Sequence, residues 1–182
     1  LRHVIITGGA GFIGSQISAR LMKEKTRVTI LTRNVSAPRA VALAKQGCKV
    51  VACDLGDAHR IPRQDMLDPA DAMFHFAADV SVSSPTLRAA NVDGTSRALA
   101  LADALAIPYV VYASSIEAQG LGAESEIPLR EDMACCPVSD YGQSKVQAEA
   151  LIAEWGSLPG RRSLVLRIGN TYGPGSAWFL HP

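Results

Sequence analysis

The sequence lacks a charge excess and a long apolar run, and each absence excludes a class of protein. Lys and Arg number 18 against 17 Asp and Glu, so the net charge is +1 and no nucleic-acid surface is indicated. No apolar run approaches the length of a membrane span, and no signal-peptide pattern opens the chain. We therefore expect neither a nucleic-acid partner nor a membrane partner.

Cysteine is also scarce, and its spacing argues against a metal site or a disulfide framework. The four cysteines are Cys48, Cys53, Cys135 and Cys136. Their spacing matches no zinc pattern, and adjacent cysteines rarely form a structural bridge. We expect four reduced thiols, no bound metal and a cytoplasmic protein. A redox role for the adjacent pair is the alternative.

What is present is the composition of one ordinary globular domain. The 182 residues are 48% hydrophobic and 19% charged, which fits an α/β protein and argues against disorder. Both ends are unusual. Leu1 lies almost inside the first predicted strand, with no initiator Met, and residues 178–182 are largely apolar without a helix to bury them. We therefore expect a trimmed chain.

The stretch TGGAGFIG at residues 7–14 is the feature around which the rest of the chain is organised. It follows an apolar run at residues 4–6 that is typical of a strand buried on both faces. After it, Ile13, Ile17 and Leu21 recur at helical spacing. Strand, glycine turn and helix start thus stand in the order that a dinucleotide-binding fingerprint requires. A glycine-rich turn without a ligand is the alternative.

Two glycine registers fit this fingerprint. One uses Gly9, Gly11 and Gly14, and the other uses Gly8, Gly11 and Gly14. Gly8 would permit a tight turn, Gly11 would admit a pyrophosphate close to the backbone, and Gly14 would let the helix pack against the sheet. The N–H groups at the start of the helix would then face the phosphates.

The end of the second predicted strand, at residues 27–31, lacks the acidic residue of an NAD site. That residue binds the ribose hydroxyls about 20 residues after the glycines, but residues 32–34 read Thr-Arg-Asn. Arg33 can bind a 2′-phosphate through charge-assisted hydrogen bonds, so the sequence favours NADP, with NAD as the alternative. A solvated surface arginine is the simpler interpretation. Asp54, after a third strand at 48–53, is a candidate acceptor for the adenine amino group or a turn cap.

Predicted strands and helices alternate along the whole chain. Further apolar runs predict strands at 72–76, 109–112 and 162–168. Helical patterns occur at 38–46, at about 86–106 and from Ser139 or Asp140 onward. This alternation predicts an α/β fold with a doubly wound parallel sheet and right-handed crossovers. We interpret His75, inside an apolar run, as a satisfied core histidine rather than a ligand or base.

Tyr141 and Lys145 are the candidate catalytic pair, because residues four apart share one helix face. Ser115, just past the fifth strand, could converge with them beside a nicotinamide ring and hold the substrate oxygen during hydride transfer. A tyrosine pKa of about 10 leaves roughly 4 kcal/mol to overcome at neutral pH. An ammonium about 4 Å away supplies a similar amount. A tyrosine and a lysine four residues apart predict little by themselves. The spacing indicates a catalytic pair here because it occurs after a dinucleotide-binding fingerprint and after a Ser-Ser pair at the end of a strand.

Together these motifs resemble the extended short-chain dehydrogenase/reductase family, also called NAD-dependent epimerase/dehydratases, over the whole chain. The matching segments, in family order, are residues 7–14, 54–55, 75–78, 91–95, 114–115, 141–145 and 167–175. The resemblance implies a Rossmann fold and an enzyme whose catalytic residues are Ser115, Tyr141 and Lys145. It implies cofactor contacts from Gly8, Gly11, Phe12, Ile13, Gly14, Asp54, Leu55, Ala77, Ala78, Asn91, Tyr141 and Lys145. Asn170 would lie toward the substrate.

Departures from the family pattern narrow the range of reactions and substrates to be expected. Sugar-nucleotide dehydratases of the family carry an Asp-Glu pair after the catalytic hydroxyl, whereas here Ile116 and Glu117 follow, so 4,6-dehydration is not expected. Glu117 is a second candidate substrate residue, and the Ser-Ser-Ile-Glu stretch is also similar to 3β-hydroxysteroid dehydrogenases. Family members continue into a domain that selects the substrate. We therefore divide the chain into an NAD(P)-binding Rossmann domain at 1–175 and the start of a truncated substrate-binding region at 176–182.

The expected function is that of an NADP-preferring oxidoreductase acting on a small carbonyl compound or secondary alcohol. A nucleotide-sugar epimerase that retains its cofactor is one alternative. A non-catalytic NADP-binding sensor is another, against which the presence of Tyr141 and Lys145 argues. Many relatives pair through two helices each, so we expect a homodimer through a four-helix interface, built from the helix after Thr86 and the helix bearing Tyr141.

Overall fold

A six-stranded parallel sheet forms the centre of the structure, a computed structural model that describes residues 1–81, 84–120 and 128–176. Its strands are β1 His3–Thr7, β2 Arg27–Thr32, β3 Lys49–Ala52, β4 Ala72–His75, β5 Tyr109–Ser115 and β6 Arg162–Ile168. They lie in the order β3-β2-β1-β4-β5-β6, and every neighbouring pair is parallel. The order reverses between β1 and β4, as in a doubly wound Rossmann fold. The predicted fold class is confirmed.

Helices cover both faces of this sheet. They are α1 Phe12–Lys23, α2 Pro38–Lys45, α3 Gly94–Ala104, α4 Ile116–Gln119 and α5 Asp140–Gly156. Shorter helical segments are the 3-10 turns Ala58–Arg60 and Gln64–Met66 and the π-helical segment Ala89–Asp93. Helix α2 begins with Pro38, whose fixed φ suits a first helical position. Helix α5 begins where the Ser139 hydroxyl accepts the backbone N–H of Gly142.

Strand β1 is buried on both faces because it divides two hydrophobic layers. Val4 and Ile6 pack in the layer that includes Ala40 and Leu43 of the neighbouring α2. Ile5 faces the opposite layer, which includes residues of α3 and α5 such as Ile152. A strand covered on both sides is continuously apolar, and this explains the run from which the sequence predicted it.

Three local features differ from the prediction. Strand β5 runs on to Ser115, three residues beyond its predicted end. Helix α4 was not predicted, and it starts because the Ser115 hydroxyl accepts the backbone N–H of Glu117. The long helix predicted at 86–106 is instead a π-helical segment followed by α3. A π-helical segment inside a helix is often found at a functional site.

Some predictions fall outside what is described. Residues 177–182, most of the expected truncated substrate region, lie outside the described ranges.

In the described ranges no helix is both long and apolar enough to cross a membrane. All four cysteines carry free thiols, with Cys48 and Cys53 buried and Cys136 exposed.

Candidate active site

A cleft of about 340 Å³ opens at the carboxyl ends of β1, β2 and β4, where the strand order reverses. Its lining includes seven of the predicted cofactor residues, namely Gly8, Gly11, Arg33, Asp54, Leu55, Ala77 and Ala78. The cleft is therefore the place in this fold where a dinucleotide would be expected, and it is formed mainly by loops that follow strands.

The glycines at the start of the chain shape the wall of this cleft, because a Cβ at these positions would collide with neighbouring protein atoms. Gly8 has a φ of 66°, and a Cβ there would lie 2.6 Å from the backbone nitrogen of Ala77. A Cβ on Gly9 would overlap the side chain of Ile30, and one on Gly14 would overlap the carbonyl oxygen of Gly8. The two glycine registers are thus not exclusive, since Gly8 is needed for its conformation and Gly9 for packing.

The amino end of α1 lies at the cleft. Its N-cap is Gly11, no side chain caps it, and no acidic residue stands in the first turn. The backbone N–H groups of Phe12 and Ile13 therefore belong to a helix end that attracts anions. The predicted contacts of these two residues with a pyrophosphate stay predictions.

Arg33 and Asp54 lie at the part of the cleft next to β2 and β3. The Arg33 side chain is exposed and has no hydrogen-bond or ion-pair partner among the described residues. Asp54 accepts the backbone N–H of Gly56 at 3.1 Å and pairs with Arg60 at 3.4 Å. Asp54 therefore fills the turn-capping role that was its alternative, while still lining the cleft.

The structure brings Ser115, Tyr141 and Lys145 together at the carboxyl end of β5, although none of them lines the cleft itself. Tyr141 and Lys145 lie one turn apart on α5, with Nζ of Lys145 5.6 Å from the centre of the Tyr141 ring. Lys145 donates to the carbonyl oxygen of Ala113 at 2.9 Å. The Ser115 hydroxyl is near enough to Tyr141 to favour its ionised form by hydrogen bonding. The predicted set is therefore grouped, and its catalytic role stays a prediction.

Burial governs the protonation of this group. Lys145 is 2% exposed, and burial lowers its pKa to about 8, with the charge of Glu149 acting in the opposite direction. Burial and the charge of Glu117 raise the pKa of Tyr141 above its usual value, against the effect of Ser115. In this structure the net effect on the Tyr141 pKa is therefore an increase, and a lowering by Lys145 stays a prediction. The Lys145 ammonium lies 5.6 Å from the centre of the Tyr141 ring and donates a hydrogen bond to the carbonyl oxygen of Ala113.

The two candidate substrate residues lie in different surroundings. Glu117 accepts a hydrogen bond from the Ser139 hydroxyl at 2.6 Å, and this contact joins α4 to the start of α5 beside Tyr141. Asn170 follows β6 and is exposed. Contact of either residue with a substrate stays a prediction.

Asn91, predicted to contact the cofactor, has a buried amide that bonds within the protein. It accepts the backbone N–H of Asp79 at 2.7 Å, and it donates to the carbonyl oxygen of Asp79 at 2.9 Å and to the Ser144 hydroxyl at 3.0 Å. The amide thus joins the cleft wall at Asp79 to helix α5. A direct contact with the cofactor stays a prediction.

Sequence reasoning missed a partly buried ion pair near the candidate catalytic group. Arg167 on β6 donates to both carboxylate oxygens of Glu149 on α5, at 2.8 Å to the nearer one. Arg167 also contacts the side-chain oxygen of Gln119 and the sulfur of Cys135, while Glu149 accepts from the Ser114 hydroxyl. The spacing of Glu149, one helical turn beyond Lys145, was the signal that could have identified it.

Comparisons with known proteins agree with this geometry. A family model described as "NAD dependent epimerase/dehydratase family" matches residues 4–179. UDP-arabinose 4-epimerase 1 of Arabidopsis thaliana is 31% identical over 184 residues, covering 94% of this chain and 43% of its own length. UDP-glucose 4-epimerase of Azospirillum brasilense is 30% identical over 176 residues, covering 94% and 49%. The chain spans about half the length of the curated relatives it matches.

Solved structures show the same similarity. The UDP-glucose 4-epimerase of Thermus thermophilus, in complex with NAD, aligns with a TM-score of 0.83 and 28% identity, covering 95% of this chain and 57% of its own. These comparisons give no support to the local likeness to 3β-hydroxysteroid dehydrogenases, which stays a prediction.

Proposed function

Since its family model spans residues 4–179, this chain belongs to the NAD dependent epimerase/dehydratase family, and we propose that its cleft binds a nicotinamide dinucleotide for hydride transfer. The observation that carries the proposal is the grouping of Ser115, Tyr141 and Lys145 beside a glycine-walled cleft at the strand-order reversal. A bound dinucleotide would supply the hydride acceptor. The chain's own residues would bind it, orient the substrate and move the proton.

Tyr141 is the proposed proton acceptor for a substrate hydroxyl. Ionising a partly buried tyrosine at neutral pH costs at least about 4 kcal/mol. An ammonium about 4 Å from the phenolic oxygen would return a similar amount at an effective dielectric near 20, and Nζ of Lys145 lies 5.6 Å from the ring centre. Lys145, with its pKa of about 8, is mainly charged at pH 7 and can make this contribution. The Ser115 hydroxyl would hold the substrate oxygen in line and favour the phenolate.

The reaction we propose first is 4-epimerisation of a nucleotide sugar. Relatives at least 30% identical include UDP-arabinose and UDP-glucose 4-epimerases, and this supports a UDP-sugar as the substrate class. Such a reaction removes hydride from a carbon and returns it to the same carbon, so it consumes no coenzyme. The absence of an Asp before Glu117 fits epimerisation better than dehydration.

An NADP-preferring oxidoreductase is the second candidate, favoured by Arg33. Its exposed guanidinium at the end of β2 stands where an NAD site usually carries a carboxylate. The NAD in the Thermus thermophilus structure belongs to that protein and supports a nicotinamide dinucleotide here without favouring NADP. A non-catalytic sensor is the third possibility, and the pairing of Tyr141 with Lys145 argues against it.

Turnover separates these candidates. The protein is mixed with UDP-glucose, UDP-arabinose or a simple carbonyl or alcohol substrate and an equal amount of NAD(H) or NADP(H), and sugar epimers and coenzyme conversion are measured together. Epimers formed without net coenzyme reduction support the first candidate, and stoichiometric coenzyme conversion on a carbonyl or alcohol substrate supports the second. Tyr141→Phe should abolish either activity. Activity unchanged in Tyr141→Phe would contradict the proposed chemistry.

Arg33→Ala tests the coenzyme preference. Loss of charge-assisted hydrogen bonds to a 2′-phosphate should weaken NADPH binding about 10- to 100-fold and leave NADH binding unchanged. Fluorescence titration with both coenzymes measures this, and NADH serves as the internal control. An equal loss for both would remove the preference for NADP.

We also propose that the protein forms a homodimer through α3 and α5. Both helices expose alanines, Ala100 and Ala104 on α3 and Ala150 and Ala153 on α5, which would let two copies approach closely. Sedimentation equilibrium measures the mass, and a single-chain mass at micromolar concentration would overturn this proposal.

A further inference from the structure

His75 is a buried histidine, 1% exposed, that the proposed chemistry does not use. It ends β4 directly beside Thr7, which ends β1. Its Nδ1 lies 2.6 Å from the Thr7 hydroxyl, which also accepts the backbone N–H of Ala77 at 3.2 Å. Its Nε2 lies 3.0 Å from the Thr95 hydroxyl. The predicted core role is thus confirmed, and both ring nitrogens have partners.

The directions of these hydrogen bonds fix the tautomer. The Thr95 hydroxyl donates its single proton to the carbonyl oxygen of Asn91 at 2.6 Å, so it must accept from His75 Nε2–H. Nδ1 is then unprotonated and accepts from Thr7. Burial, and next the charge of Lys145, lowers the pKa of His75 to about 3, which keeps the ring neutral.

From Asn91 the hydrogen-bonded chain continues to helix α5. The Asn91 amide donates to the Ser144 hydroxyl at 3.0 Å, and Ser144 donates to the carbonyl oxygen of Tyr141 at 2.7 Å. The same amide holds Asp79 of the cleft wall by two bonds. Every link is a donor facing an acceptor, and the central ones are buried.

A second contact connects His75 to the candidate catalytic pair. Its ring stacks on the ring of Tyr112, with centroids 5.4 Å apart and an interplanar angle of 28°. On the same tyrosine ring lies Nζ of Lys145, 4.8 Å from the centroid. Nδ1 of His75 therefore contacts Thr7 in the cleft wall, and Nε2 contacts Thr95, where the hydrogen-bonded chain toward Tyr141 begins. The face of its ring packs on Tyr112, which in turn contacts Lys145.

We propose that His75 is a positioning residue that couples the cleft wall at Ala77 to the placement of Tyr141 and Lys145. Its ring transmits position and takes no part in proton transfer. The consequence for coenzyme affinity and turnover rests on the proposed function, while the coupling itself is a property of the chain alone.

The tautomer can be measured without a coenzyme, by ¹⁵N NMR of the histidine-labelled protein. His75 should carry its proton on Nε2 and stay neutral from pH 5 to pH 8. His3 is an internal reference of opposite sense, because its Nδ1 lies 2.7 Å from the Pro69 carbonyl oxygen, which can only accept. A proton on Nδ1 of His75, or titration near pH 6.5, would overturn the proposal.

Two polar variants each break one of the two links, and either break should interrupt the coupling. His75→Gln keeps a donor near Nε2 and loses the Thr7 link, whereas His75→Asn keeps an acceptor near Nδ1 and loses the Thr95 link. Each should speed hydrogen exchange at the amides of residues 142–145 and weaken coenzyme binding about 2- to 10-fold. His3→Gln is the matched control, since it removes a partly buried histidine hydrogen bond at the opposite end of β1. It should leave both quantities unchanged.

A double-mutant cycle decides between coupling and simple loss of stability. His75→Asn and Ser144→Ala break the same hydrogen-bonded chain at different links. The loss of coenzyme binding free energy in the double variant should therefore be smaller than the sum of the losses in the two single variants. Additive effects, or His75 variants no different from His3→Gln, would overturn the coupling. If the unmodified protein binds neither NADH nor NADPH, the proposed function fails, and the tautomer and exchange data still decide this inference.

Discussion

The two halves of the sheet hold their functional groups by different means. Around β1 and β2 the cleft is walled by glycine and alanine backbone, and its form depends on side chains that are absent at Gly8 and Gly14. Around β5 and β6 the candidate catalytic group depends on buried or partly buried charges: Lys145 donates to Ala113, and Glu149 pairs with Arg167. The difference shows that a ligand site can be built from local backbone, whereas burying charge requires partners from distant strands.

Removing a charge partner in the carboxyl-terminal half should have the largest effect. Arg167→Met leaves the Glu149 carboxylate, whose side chain is 12% exposed, without its cation. Breaking a fully buried pair costs about 3–5 kcal/mol, and because this pair is only partly buried, the free energy of unfolding in urea should fall by about 3 kcal/mol, the lower end of that range. Adding Glu149→Gln should restore part of the loss.

An exposed pair gives the control for this prediction. Arg63 and Asp65 lie at 2.8 Å but are 82% and 63% exposed, so Arg63→Met should change stability little. Equal losses for Arg63→Met and Arg167→Met would contradict the contrast between the two pairs.

A Lys145 variant tests whether the buried charge in the candidate catalytic group reduces the stability of the fold. Because the pKa of Lys145 is lowered from 10.5 to about 8, the folded chain releases this proton before the unfolded chain does. Between pH 8 and pH 10.5 unfolding therefore takes up a proton, and wild-type stability rises with pH by up to about 3 kcal/mol from this residue. Lys145→Met lacks this dependence, so its stability relative to wild type should be highest at pH 7 and should decrease over that window.

Urea unfolding of both proteins from pH 7 to pH 10 measures the difference. Other titrating groups are common to both proteins and cancel in the comparison. If the free energies of unfolding of wild type and Lys145→Met changed with pH in parallel, this result would contradict the burial of a charged Lys145.

In the amino-terminal half, the matched pair Gly8→Ala and Gly47→Ala separates crowding from backbone strain. Both glycines have positive φ, but a Cβ on Gly47 meets nothing within 4 Å, while one on Gly8 meets Ala77 at 2.6 Å. Gly47→Ala should cost about 1 kcal/mol, and Gly8→Ala about 2–3 kcal/mol together with loss of coenzyme binding. Equal effects on stability, or retained binding in Gly8→Ala, would show that the cleft wall tolerates a side chain.

The same contrast explains what the sequence could predict. Strand β6 was predicted at its observed bounds, and the cleft glycines were identified, because an apolar run and a glycine turn are local patterns. The Ser115, Tyr141 and Lys145 group was found by spacing along one strand and one helix. In each case the signal and the structure lie in the same short segment.

What was missed depends on contacts between distant residues. Arg167 meets Glu149 across 18 residues, and Lys145 meets Ala113 across 32. The raised pKa of Tyr141 follows from burial by the whole fold, which no local spacing reveals. Helix α4 was missed because a four-residue helix has almost no periodicity and depends on a single cap at Ser115.

The central claim is that this cleft holds a nicotinamide coenzyme within reach of Tyr141, and NMR of ¹³Cζ-tyrosine-labelled protein titrated with NAD and NADP tests it most directly. Tyr141→Phe assigns the signal. The account predicts a saturable change in the Tyr141 resonance with at least one coenzyme, together with a lower pKa of its phenol in the complex. A folded protein whose Tyr141 resonance is unchanged at saturating concentrations of both coenzymes would contradict it.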